Sequence, residues 1–92
     1  MSIKLIKRAV REGRYEFTSH ALEEMDEDGL SHAAVRWAFL HGRIVGELSD
    51  DPRGIRFVVR GLLRNNEVEI ELICRFLVSG LLRIITVYAL ER

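Results

Sequence analysis

Ile55-Arg56-Phe57-Val58-Val59-Arg60-Gly61-Leu62-Leu63-Arg64, then Asn65-Asn66, then Glu67-Val68-Glu69-Ile70-Glu71-Leu72-Ile73-Cys74-Arg75-Phe76-Leu77-Val78, is the stretch that decides the fold. Both arms are rich in β-branched and aromatic residues, and asparagine tolerates the positive φ that a two-residue hairpin turn needs. A turn at Asn65-Asn66 pairs residues whose numbers sum to 131. One face of the ladder then carries Ile55 with Phe76, Phe57 with Cys74, Val59 with Leu72 and Leu63 with Val68, all apolar and fit for a core. The other face pairs Arg60 with Glu71 and Arg64 with Glu67, opposite charges worth about 0.2–1 kcal/mol each. At its far end Arg56 faces Arg75. Two like charges directly opposed call for an anion between them.

Downstream, Ser79-Gly80 reads as a second two-residue turn that brings in a strand over Leu81–Leu90. Its register places Ile84 beside Arg75, Thr86 beside Ile73 and Tyr88 beside Glu71. Upstream, Arg43–Leu48 forms a first strand, separated from Ile55 by Ser49-Asp50-Asp51-Pro52-Arg53-Gly54, dense in turn residues. The four strands make an antiparallel meander. Its non-core face mixes Arg56, Arg60, Glu71, Arg75, Thr86 and Tyr88 with Val58, Leu62, Ile73, Ile84 and Leu90, which is too apolar to stand freely in water. The expected cover is a helix, a partner or a second copy. A two-fold homodimer through this face or through the Leu81–Leu90 strand is the expectation.

The N-terminal half has helical periodicity. Ser2 caps a helix with Ile3, Ile6, Ala9 and Val10 on one stripe and Gly13 as its stop. Tyr15-Glu16-Phe17 is a short extended link. Thr18 or Ser19 caps a second helix ending at Gly29, and Ser31 a third ending at Gly42. The predicted fold is α+β: two or three N-terminal helices packed on a four-stranded antiparallel meander sheet, in one domain over residues 1–92.

Composition narrows the function classes. Fourteen basic residues balance fourteen acidic ones, with seven of each sign in residues 1–45 and again in residues 46–92. That neutrality argues against a freely acting nucleic-acid binder and leaves room for a local arginine patch. The lone cysteine, Cys74, falls on the predicted core face, inert, and points to a reducing compartment. The basic start lacks the apolar run of a signal peptide, and the longest uncharged run, Phe76–Leu82, is too short to span a bilayer. A cytoplasmic location is expected, with no membrane contact. The acidic run Glu23-Glu24-Met25-Asp26-Glu27-Asp28 scatters its carboxylates around a helix, and His32 and His41 lack zinc spacing, so no metal site is read. There is neither a glycine-rich nucleotide loop nor a nucleophile elbow, and no cofactor is expected.

Four pieces recur in a known order: Phe17-Thr18-Ser19-His20-Ala21-Leu22-Glu23-Glu24-Met25, Asp28-Gly29-Leu30, Asp50-Asp51-Pro52-Arg53-Gly54, and Thr86-Val87-Tyr88. Together they resemble the uncharacterised bacterial "four-two-five-eight" domain-of-unknown-function family, from about Phe17 to Tyr88. The resemblance implies a toxin-like domain, of the kind found in toxin–antitoxin pairs and at the ends of larger polymorphic toxins. Its helices-then-sheet order is similar to that of small ribonuclease toxins of the RelE and barnase type. At one position the chain departs from the family, which usually has a basic residue immediately before the methionine matching Met25. Here that residue is Glu24, whose carboxylate cannot make a cationic contact to phosphate.

Each candidate residue has two readings. His20, in the first turn of the second helix, is either a neutral base or acid or a ring that seats the helix. Arg53, Arg56 and Arg75 either cluster on phosphate or are a turn arginine plus two solvated strand arginines, paired to Asp50 or Asp51. Tyr88 either orients a substrate or packs at the sheet rim. The leading reading joins them in metal-independent cleavage of RNA, with an antitoxin as a possible partner. The rival is a non-catalytic interaction module.

Overall fold

A computed structural model of the chain describes residues 3–90. Helix α1 spans Ile3–Arg11 and buries Ile6, Ala9 and Val10, the i, i+3, i+4 stripe of the sequence. It stops at Gly13, whose φ of 74° lets Gly13 N–H and Arg14 N–H donate back to Val10 and Ala9 carbonyls. The cap expected from Ser2 lies outside the described residues. Helix α2, Ser19–Glu27, starts at Thr18, whose hydroxyl accepts from Ala21 N–H at 3.1 Å. Gly29 ends it with the same backbone motif as Gly13. Helix α3, His32–Leu40, is capped in turn by Ser31 on Ala34 N–H.

The sheet has five strands and is mixed. Strands β2 (Arg43–Leu48), β3 (Arg56–Leu62), β4 (Glu69–Phe76) and β5 (Leu82–Ala89) form the expected antiparallel meander. The correction is β1, Tyr15–Phe17, which pairs parallel with β5 at Tyr15–Leu82, Glu16–Arg83 and Phe17–Ile84, giving the order β1-β5-β4-β3-β2. The link between α1 and α2 is thus an edge strand. At three residues it is too short to show alternation.

The β3–β4 register is the one the sequence implies: Phe57 opposes Cys74, Val59 opposes Leu72 and Arg60 opposes Glu71. The turn is longer than expected. Leu63 N–H donates to Val68 O at 2.8 Å and Asn66 N–H to Leu63 O at 2.9 Å, so Arg64–Glu67 is a four-residue loop with Asn66 at φ 59°. Lengthening the loop by one residue on each side leaves the sum of paired numbers unchanged.

The second hairpin differs in register. Leu77 N–H donates to Leu81 O, closing a three-residue loop, and pairing near it runs Phe76–Leu82, Arg75–Arg83 and Cys74–Ile84. A bulge at Ile85 then restores the expected pairs Ile73–Thr86 and Glu71–Tyr88. Ile84 therefore lies beside Cys74, fully buried in the core, and not beside Arg75 on the other face.

The helices cover one face. Ile6, Val10, Met25, Val35 and Phe39 meet Phe57, Val59, Ile70, Leu72, Ile84 and Val87 in one buried cluster. Helix α3 lies so close to β3 that a Cβ on Gly61 would stand 2.1 Å from Ala38 O, so only glycine fits there. Cys74 is buried as expected, and burial pushes its thiol up to about 12, far from reactive thiolate.

Candidate functional site

Among the described residues no helix covers the opposite face, and the two registers order it into transverse rows. The first is Glu16, Arg83 and Arg75, continued by Arg56 where the β3–β4 register runs on by one residue. The second is Thr86, Ile73, Val58 and Gly46, and the third Tyr88, Glu71, Arg60 and Arg43. A half-buried, largely apolar row thus lies between two charged ones.

Arg56 and Arg75 are neighbours, as the sequence implies, and the chain itself supplies the anion between them. In the turn between β2 and β3, Asp51 Oδ2 lies 3.1 Å from Arg53 Nη2, 3.5 Å from Arg75 Nη1 and 3.9 Å from Arg56 Nε. Its Oδ1 accepts from Arg53 N–H at 2.9 Å and Arg53 Nε at 3.1 Å. The Arg53 guanidinium and backbone N–H, with Arg75 behind them, lower the Asp51 carboxyl to about 2. Asp50 meets Arg56 Nη2 at 2.7 Å. Arg75 itself is 6% exposed, an unusual burial for arginine, while Arg56 Nε is buried without an acceptor.

The rest of the face is charge-paired too. Arg83 meets Glu16 at 3.3 Å, Arg60 meets Glu71 at 2.9 Å and Arg43 meets Glu69 at 3.5 Å. Six guanidiniums of the face and its turn thus meet five carboxylates, leaving one net positive charge.

His20 stands apart from the arginines. Its Nε2 is 3.2 Å from Glu24 Oε1, and among the described residues no hydrogen bond or ion pair joins it to Arg53, Arg56, Arg75 or Tyr88. Thr18, two residues before it, adjoins β5 by donating N–H to Ile84 O and hydroxyl to Ile85 O. Strand β4 lies between β5 and β3, so His20 is separated from Arg56 by at least two strand spacings, roughly 10 Å. Tyr88 belongs to the third row, roughly 13 Å along the strands from the first. The structure therefore gathers Arg53, Arg56 and Arg75, and leaves His20 and Tyr88 on separate rims.

Sequence reasoning missed the roles of Glu24 and Asp28. Glu24 Oε1 also accepts from Val87 N–H at 3.0 Å, and Asp28 Oδ2 from Ala89 N–H at 2.9 Å. These carboxylates, one turn apart on α2 and its C-terminal cap, line the edge of β5 beyond the end of β1. A basic residue at position 24 would offer donors where this edge needs an acceptor. The lined edge also removes the Leu81–Leu90 strand as a docking edge for a second copy. The i, i+4 spacing of the two acids was the available signal. On the helix side, two depressions of about 260 and 440 Å³ share Phe76, the larger also lined by Glu47, Ile55 and Phe57. Among the described residues no helix is long and apolar enough to cross a membrane, and no group of three His, Cys, Asp or Glu could hold a metal ion.

No curated protein and no solved structure matches the chain at a significant level. A family model does, over residues 17–89, a span from β1 to the last residue of β5 that takes in both the arginine row and the His20–Glu24 pair. With well over half its length matched, the chain belongs to the family described as Domain of unknown function (DUF4258).

Proposed function

We propose that this chain is an RNA-directed, toxin-like module of the cytoplasm that grips a phosphate backbone along the Arg83–Arg75–Arg56 row. The row itself carries the reading. Three guanidiniums stand on neighbouring strands, about 5 Å apart, on a sheet face without helices, and one keeps a buried N–H lacking an acceptor. Guanidinium groups bind phosphate oxygens in bidentate fashion, and a buried donor without an acceptor favours an incoming one. The middle row offers no aromatic ring for a base to stack on, so recognition runs through the backbone with little sequence preference.

His20 is the candidate acid or base for metal-independent cleavage. With Nε2 turned toward Glu24 Oε1 at 3.2 Å, its Nδ1 is the nitrogen left to exchange a proton with substrate. A cleaved strand would run from the arginine row over the β5 edge. Tyr88, on the third row, would orient its far end. Inducing wild type and His20→Ala in a bacterial host tests this. Growth arrest with RNA loss in the first, relieved in the second, is expected. Salt-dependent RNA binding should also weaken in Arg83→Ala. Unimpaired growth with no RNA binding by wild type would overturn the reading.

One observation favours a second reading. An apolar row between two largely charge-paired rows has the anatomy of a protein interface, with an apolar centre and a polar rim. An antitoxin-like protein or a second copy would then cover Val58, Ile73 and Thr86, with no catalysis.

A further inference from the structure

We propose that Asp51 is an internal stand-in for phosphate: held by Arg53 of its own turn, its carboxylate fills the anion position beside Arg56 and Arg75 in the free protein, and an RNA phosphate takes that position when the Ser49–Ile55 turn lifts away. The inference rests on the RNA-directed reading above and adds a gate to the same site.

Three observations carry it. First, the fit of Asp51 is incomplete. Both its oxygens are engaged by Arg53, Oδ2 is shared with Arg75 at 3.5 Å, and Arg56 Nε, at 3.9 Å, is left without a hydrogen bond. A tetrahedral phosphate has oxygens out of a single plane and can reach Arg56 and Arg75 together, which a planar carboxylate does not do here.

Second, the turn is held mainly from within. Asp51 is bonded to Arg53 of the same turn, and Gly54 N–H donates to Asp51 O at 3.1 Å. Pro52, Arg53 and Gly54 are exposed, and so is the one large apolar residue nearby, Ile55. Lifting the turn breaks the contacts of Asp50 and Asp51 with Arg56 and Arg75 while leaving the core cluster intact.

Third, the charge left behind suits the ligand. When the turn leaves, it takes Asp50, Asp51 and Arg53 with it. The row then holds Arg56, Arg75 and Arg83 against Glu16 alone, so its charge rises to two net positives. The near-neutral face of the free protein becomes a basic one only when the gate opens. This reconciles a balanced composition with a polyanionic ligand.

The test compares Asp51→Asn with Asp50→Asn, each of which removes one negative charge from the same turn. Binding of a fluorescein-labelled single-stranded oligouridylate is followed by anisotropy, with folding checked by circular dichroism. Asp51→Asn should bind roughly tenfold or more tightly than wild type. Asp50→Asn, whose carboxylate is 82% exposed, should change much less. Equal gains in the two variants would reduce the effect to net charge and overturn the gate. So would wild-type binding that Asp51→Asn leaves unchanged, although the RNA-directed reading would survive.

A second measurement needs no variant. Inorganic pyrophosphate is titrated into wild type while the amide resonances of Arg53 and Gly54 are followed. Saturable shifts at both are expected as the turn releases. Shifts with pyrophosphate but no binding of oligouridylate would keep the gate and overturn the RNA reading. No response to either probe would overturn both.

Discussion

Leu72 and Ile73 are neighbours on β4 and face opposite sides of the sheet. Leu72 is fully buried among Val59, Val87 and the helices, while Ile73 lies half-buried between Val58 and Thr86 on the face away from the helices. The covered face is governed by volume, because each apolar side chain there has neighbours that cannot retreat. The open face is governed by partners, because nearly every charge on it is met by an opposite one from the next strand or the adjoining turn. The difference teaches where changes will cost folding and where they will cost function.

The largest effect should come from truncating the covered member of that pair. Leu72→Ala is expected to lose about 2–5 kcal/mol in urea unfolding, whereas Ile73→Ala should lose about 1 kcal/mol. Equal losses would mean that the open face is covered in solution, by a second copy for example, and light scattering on the same samples would show it. Gly61→Ala sharpens the point in the opposite direction. It adds one methyl group against the Ala38 carbonyl and should cost about 1–3 kcal/mol or more, lowering the melting temperature by roughly 10 °C. A neutral result would show that α3 does not rest on β3 as described.

At the edge between the two faces the effects shrink. Glu24→Ala and Asp28→Ala each leave one β5 N–H without its protein acceptor, at a cost of about 1 kcal/mol, since water can partly replace it. The sharper readout is hydrogen exchange. The Val87 amide should exchange faster in the first variant and the Ala89 amide in the second, each with little change in the other.

The covered face was largely legible in the sequence, and the reason is local. Turns at Asn65-Asn66 and Ser79-Gly80 are close in the chain to what they pair, and alternation along β3 and β4 fixes which side is buried. Legibility fails where the pattern is silent. Ile84-Ile85-Thr86 offers no alternation from which to read a bulge, and the parallel pairing of Tyr15–Phe17 with Leu82–Ile84 joins distant segments without a turn signal. On the open face the residue types were visible and their partners were not. Arg56 opposite Arg75 announced a missing anion, but whether that anion is a ligand or Asp51 depends on how the Asp50–Gly54 turn folds back. The acids of α2 looked like a solvated face because the edge N–H groups they meet belong to a strand some 60 residues away.

The smallest expected effect bears on the open face alone. Asp51 is held by Arg53 first and Arg75 after it, with Arg56 3.9 Å away and Asp50 on the same turn, and its carboxyl is lowered to about 2. A carboxyl lowered in the folded state binds its proton more weakly there than in the unfolded chain, whose ordinary value is near 3.8. The contact therefore contributes its full stabilisation above about pH 4 and loses it as the pH falls through about 2. Between pH 5 and 8 the Asp51 carboxyl should show no titration. The Asp51 side-chain carbonyl resonance should titrate with a midpoint near 2, and the Arg53 Nε–H resonance should move with it, since the two atoms are 3.1 Å apart. The open and covered faces then separate cleanly, because the core cluster contains no group that ionises in this range and its methyl resonances should stay in place while the turn lets go. A midpoint near 4 would mean that Asp51 is solvated and the arginines are not engaged by it, leaving Arg56 and Arg75 opposed with nothing between them.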